Sequence, residues 1–288
     1  MRQRWAVPVD GVELAADRWG QGQPVVVLVH AGVCDRRSWL DVAESLAQDR
    51  TVFAYDRRGH GDTPPTTAPF SHLDDLLAVV RVAAAEPEGD GTVWLVGSSM
   101  GGGLAVEAAL AAPDLVAGLV LLAPWVAGTP ESLVSMDAAS AAMEERMAAA
   151  EQAGDLEEAN RLSAWAWLDG PAQPEGRVTG GARELALTMN RVILENGVAE
   201  GVGWGQTDAW ARLGEVAVPV VVACGDLDFG YIGAVNRTLA ERLPDGRYVE
   251  LAGVAHLPYL EQPGVVAELI AGAMAGGAQA DTGPLRPN

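Results

Sequence analysis

The sequence predicts an α/β fold: a mostly parallel sheet flanked by helices, with one helical insertion. Three observations carry this expectation. Short apolar, β-branched runs alternate with helix-like segments along most of the chain. Those runs lack polar alternation, which is how strands buried on both faces read. The rhythm is interrupted once, between residues 124 and 208, and then resumes.

The elements follow in order. Runs at 4–7 and 13–19 flank Asp10-Gly11, a dipeptide suited to a hairpin turn, so the sheet should open with an antiparallel pair. Continuous apolar strands are expected at 24–30, 51–55, 92–96, 117–122 and 219–224, and a last one at 247–251. Helical patterns occupy 39–46, 73–84, 102–111, 232–243 and 265–275. Within the interruption, Met136, Ala139, Met143 and Met147 repeat at helical spacing, as do Leu156, Ala159, Leu162 and Trp165. Residues 1–123 and 209–275 therefore read as one core, 124–208 as a helical insertion, and 276–288 as a disordered tail rich in Gly, Ala and Pro.

Composition excludes several classes of function. With 288 residues the chain can bury one large core. Asp and Glu number 39 against 19 basic residues, a formal charge of −20. Nucleic acid is not an expected partner, because it needs a basic footprint, and an anionic membrane surface is disfavoured for the same reason. Every basic residue is Arg, so Schiff-base lysine chemistry and a P-loop lysine are excluded. The longest apolar run, 115–127, is broken by Gly118 and Pro124 and falls short of the ~18 residues of a spanning helix. No apolar segment of signal-peptide type follows the N-terminus, so the cytoplasm is the expected compartment. Cys34 and Cys224 have no metal-ligand spacing, and the four histidines are scattered without an H-x-x-x-H pair. No metal and no cofactor are expected.

The chemistry concentrates at Gly97-Ser98-Ser99-Met100-Gly101. This G-x-S-x-G follows a buried strand and opens a helical pattern, the setting of a nucleophile on a sharp turn. The residues two places before and after the nucleophile must nearly touch. Gly97 and Gly101 allow that around Ser99, whereas Ser98 would need Met100 in the same place. The alternative is a glycine-rich turn with a capping serine. Of the histidines, His256 lies in the loop after the last strand, where a catalytic base falls in the chain order Ser, acid, His. His30, His60 and His72 read better as structural. The acid should come from Gly225-Asp226-Leu227-Asp228; either Asp226 or Asp228 could orient the imidazole, and the residues alone do not choose. In Val29-His30-Ala31-Gly32-Val33-Cys34 the loop after a strand can offer a backbone N–H opposite the one that follows Ser99.

Together, His30-Ala31-Gly32, Asp56-Arg57-Arg58-Gly59-His60-Gly61-Asp62, Gly97-Ser98-Ser99-Met100-Gly101, Gly225-Asp226-Leu227-Asp228 and Ala255-His256-Leu257-Pro258 resemble the α/β-hydrolase superfamily, over nearly the whole chain. The resemblance implies the α/β-hydrolase fold, a Ser99–Asp228–His256 triad, and an oxyanion hole from the N–H groups of Gly32 and Met100. It also implies that 124–208 is a helical cap over the site. The usual His-Gly is here His30-Ala31, and Leu257 stands where hydrolases of carbon–carbon bonds often carry Trp. A cofactor-independent serine hydrolase of a carboxylic ester, lactone or thioester is the resulting expectation, its partner a small acyl substrate. Amide or carbon–carbon bond hydrolysis on the same triad, or a non-catalytic ligand-binding role, are the alternatives. Val33, Trp125, Trp165, Trp204 and Leu257 are the candidate pocket residues, although the tryptophans could equally pack the insertion onto the core.

Overall fold

In the computed structural model, which describes residues 1–197 and 208–276, eight strands succeed one another: β1 (Gln3–Val9), β2 (Val12–Trp19), β3 (Val25–Val29), β4 (Thr51–Tyr55), β5 (Val93–Ser98), β6 (Val116–Leu122), β7 (Val220–Gly225) and β8 (Gly246–Leu251). They form one sheet in the order β1-β2-β4-β3-β5-β6-β7-β8. The β1–β2 and β2–β4 pairs are antiparallel; every pair from β4 onward is parallel. The opening hairpin turns at Asp10-Gly11, with φ of 43° and 78°. Strands β3, β4 and β5 are buried along their whole length, as their unbroken apolar runs require. The α/β-hydrolase fold expected from the sequence is the fold observed.

The helices are α1 (Leu40–Leu46), α2 (His72–Ala84), α3 (Met100–Ala111), α4 (Ala138–Ala153), α5 (Leu156–Ser163), α6 (Gly181–Asn196), α7 (Gly230–Arg242), α8 (Pro258–Glu261) and α9 (Pro263–Met274). Helices α2, α3 and α7 pack with one face of the sheet through Leu76, Val80, Leu104 and Leu239, and α1 and α9 with the other through Val42, Leu46, Val266 and Ile270. Both faces are thereby covered, which a parallel sheet needs.

Helices α4, α5 and α6 lie between β6 and β7. Asp137 caps α4 and Asp155 caps α5, each accepting from a backbone N–H three residues on. Met136 precedes α4 and is exposed, so the helical repeat begins one step later than its spacing suggests. After α5 the chain continues as a wider, π-helical turn over Ala164–Asp169, closed by the Gly170 N–H donating to the Trp165 carbonyl, five residues back.

Candidate active site

Ser99 sits between β5 and α3 with φ 52° and ψ −118°, a backbone region that non-glycine residues adopt only when their surroundings impose it. The imposition is steric. A Cβ on Gly97 would lie 2.3 Å from the Gly101 carbonyl oxygen, and one on Gly101 would lie 2.4 Å from the Val29 carbonyl oxygen. Only glycines let β5, the turn and the end of β3 approach so closely. Ser98, by contrast, is fully buried within β5.

His256 follows β8. Its Nδ1 lies 2.7 Å from Asp228 Oδ2. The other carboxylate oxygen, Oδ1, accepts from the Phe229 N–H at 2.8 Å, so the carboxylate is held from both ends. A carboxylate facing Nδ1 fixes the proton there and leaves Nε2 as the basic nitrogen. Asp226 is exposed and accepts from the Gly253 N–H at 2.6 Å, a turn-forming contact between neighbouring loops. The structure therefore brings Asp228, and not Asp226, to the imidazole. The His256 loop is tied down by its neighbours. Glu261 accepts from the Ala255 N–H at 2.7 Å, and Arg177, from the segment before α6, pairs with Glu261. Burial pushes the Glu261 carboxyl up to about 6.

Ser99, His256, Gly32 and Met100 share a cavity of about 210 Å³ with Ala31, Val33, Trp125 and Trp167. No hydrogen bond joins Ser99 Oγ to His256 among the described residues, a contact that is often loose in a free enzyme. Met100 is the first residue of α3, where a backbone N–H has no intrahelical acceptor. A larger cavity of about 390 Å³ shares Gly32, Val33, Met100 and Trp167 as walls. It extends toward Phe70, Met147, Ile193 and Leu194, with Arg58, His60 and His72 among its polar lining. Both cavities lie at the carboxyl ends of the parallel strands, where open α/β sheets place ligands.

Two pocket expectations need correction. Trp165 does not reach these cavities: its indole N–H donates to the Gln173 carbonyl at 2.8 Å, and Arg146 covers its ring. The π-helical turn shifts the phase of the repeat, so Trp167 turns inward instead, its ring centroid 4.7 Å from that of His256. Leu257 is buried in the core with Val254, Tyr259 and Leu168. Trp125 does line the smaller cavity, edge-on to Tyr231, as does Val33. Trp204 lies outside the described residues, as does the tail from residue 277 onward.

The loops around Gly32 are held by charge. Arg36 donates from Nε to Asp17 at 2.8 Å and from Nη2 to Asp62 at 2.6 Å, and also pairs with Asp56. Burial pushes the Asp56 carboxyl up to about 6. His30 accepts the Arg57 N–H at Nε2, 3.1 Å away, so its Nδ1 carries the proton and donates to the Ala31 carbonyl at 2.8 Å. Burial holds His30 neutral, well below the usual imidazole range. Burial likewise pushes His60 down to about 3 and His72 to about 2. Sequence reasoning placed no polar histidine in the pocket wall, yet His60 and His72 both contribute to it. Among the described residues, no group of three or more His, Cys, Asp or Glu side chains is placed to hold a metal ion. No helix among them is long and apolar enough to cross a membrane.

The chain belongs to the alpha/beta hydrolase family, whose model matches residues 26–269. It is 27% identical over 278 residues to a Bacillus subtilis (strain 168) protein provisionally named a 2-succinyl-6-hydroxy-2,4-cyclohexadiene-1-carboxylate synthase, covering 91% of this chain and 94% of the relative. It is 38% identical over 117 residues to lipase LipV of Mycobacterium tuberculosis, covering 40% of this chain and 43% of the lipase. Among solved structures, an N-acyl homoserine lactone degrading enzyme superposes with a TM-score of 0.70 at 24% identity, over 93% of this chain and 99% of its own. This last likeness bears on the fold alone. Membership of this family supports a hydrolase.

Proposed function

We propose that the protein is a serine hydrolase of a carboxylic ester, lactone or thioester. The observation that carries the reading is the convergence at one cavity of Ser99, on a turn forced by Gly97 and Gly101, and His256, whose Nδ1 is held by Asp228. In this reading Ser99 Oγ attacks the substrate carbonyl while His256 Nε2 takes its proton. The oxyanion is received by the N–H groups of Gly32 and Met100. Collapse of the tetrahedral intermediate expels the alcohol or thiol, protonated by His256, and leaves an acyl group on Ser99. Water, deprotonated by the same imidazole, then releases the acid.

Helices α4, α5 and α6 serve as a cap in this account. They provide Met147, Ile193 and Leu194 to the larger cavity, and Trp167 comes from the turn after α5. The combination favours a bulky apolar group on the substrate, since an apolar lining with a few polar side chains is the usual character of a small-molecule site. The name of the lipase agrees with acyl chemistry. The test is labelling with an active-site-directed fluorophosphonate alongside a panel of esters, lactones and thioesters. Labelling at Ser99 with turnover supports the reading. Labelling without turnover on any acyl substrate favours another bond on the same residues, and absence of both favours a binding role.

A further inference from the structure

Arg57 is the anomaly of this site. Its side chain is 0% exposed, yet no carboxylate pairs with it among the described residues. The neighbouring acids are engaged elsewhere: Asp56 with Arg36, and Asp75 with Arg58. Its Nε has no hydrogen-bond partner. An unpaired buried guanidinium is costly, and a functional use would offset that cost. Burial pushes it down only to about 10, so it remains a cation at neutral pH.

Its side chain touches Ala31, Met100 and the rings of His30 and His60, the rings lying 3.4 and 3.3 Å from Nη2. Nη2 donates to the Ala31 carbonyl at 3.0 Å, and Nη1 approaches the Met100 sulfur at 2.9 Å. The Ala31 carbonyl also accepts from His30 Nδ1 at 2.8 Å and from the Cys34 N–H at 3.2 Å. Three donors, one of them charged, thus converge on a single carbonyl. That carbonyl belongs to the peptide whose N–H is Gly32's. Donation to a peptide oxygen withdraws electrons from its nitrogen and strengthens the N–H as a donor, because linked hydrogen bonds polarise one another.

We propose that Arg57 is a positioning residue of the oxyanion hole, acting through the Ala31 carbonyl to fix the orientation of the Gly32 N–H and strengthen it as a donor. The inference rests on the serine-hydrolase reading above. Its contribution grows as negative charge develops on the substrate oxygen, so it should raise kcat and leave ground-state binding little changed.

The test compares Arg57→Met, Arg57→Gln and Arg57→Lys with the parent enzyme on one ester, and measures the affinity of a trifluoromethyl ketone whose serine adduct carries the same oxyanion. Ser99→Ala is run in parallel. The expected result for Arg57→Met is a loss in kcat of about 10- to 100-fold, less than the loss for deleting an oxyanion donor, with KM within about threefold. Ketone affinity should fall in step with kcat/KM. Arg57→Gln retains an N–H donor and Arg57→Lys retains the charge, so each should recover part of the loss. Unchanged kcat in all three variants, or a rise in KM with ketone affinity intact, overturns the proposal. Failure of all three variants to fold also overturns it, since Arg57 would then be a structural residue. If Ser99→Ala keeps full turnover, the hydrolase reading itself fails. If Ser99→Ala is dead and the Arg57 variants match the parent, only this inference fails.

Discussion

Glu107 lies on α3, the helix that begins directly after Ser99, and its side chain is only 4% exposed. Oε2 has no hydrogen-bond partner, and burial pushes the carboxyl from 4.5 up to about 7. The folded state therefore holds the proton more tightly than the unfolded chain does. The sign follows from linkage: between the unfolded and folded values the native state binds more protons, so stability falls as pH rises through that window. This group's contribution is fully present below about 4.5 and is lost as pH passes through about 7. Glu107→Gln removes the ionisation and keeps the shape. At about 1.4 kcal/mol per pKa unit, and with allowance for relaxation around a buried charge, the variant should gain about 1–3 kcal/mol over the parent at alkaline pH. For a chain of this size that is a rise in Tm of a few degrees. Urea unfolding of both proteins at about pH 5 and about pH 8.5 provides the assay. Asp56, Glu261, His60 and His72 also titrate on unfolding, but they are common to both proteins and cancel in the difference. A variant no more stable than the parent at alkaline pH, or one with an equal advantage at both pH values, would refute the reasoning.

Three further outcomes are expected. Asp228→Asn should lower turnover by roughly 10³–10⁴ by losing the hold on the His256 tautomer, while Asp226→Asn should cost less than about tenfold; steady-state kinetics on one ester compares them. Trp167→Ala should lower kcat/KM by roughly tenfold through lost packing against His256, whereas Trp165→Ala should leave it nearly unchanged and lower Tm instead. Gly97→Ala should destabilise the fold by about 3 kcal/mol or more, because its Cβ would meet the Gly101 carbonyl oxygen at 2.3 Å; chemical denaturation measures the loss.

What could be read in the sequence was whatever depends on local sterics and pattern. The strands were legible because burial on both faces leaves an unbroken apolar run. The place of Ser99 was legible because the turn needs two glycines at fixed offsets. The choice between Asp226 and Asp228 was not a matter of residue type: both sit in one loop, and only the fold decides which one turns to His256 and which to Gly253. Trp165 faces away from the cavities and Trp167 toward them because a single π-helical turn changes the angular step per residue, which an i, i+3 pattern does not reveal. Arg57 gave no signal at all. In sequence it is one of two adjacent arginines, and only the structure distinguishes Arg58, paired with Asp75, from Arg57, buried without an acid.

The most direct test of the central claim is to quench the enzyme during turnover of an activated ester and weigh the intact protein. The account predicts one added acyl group per chain, mapped to the peptide containing Ser99, absent from Ser99→Ala and still formed by Ser98→Ala. An acyl group on a different residue, or undiminished turnover by Ser99→Ala, would contradict it.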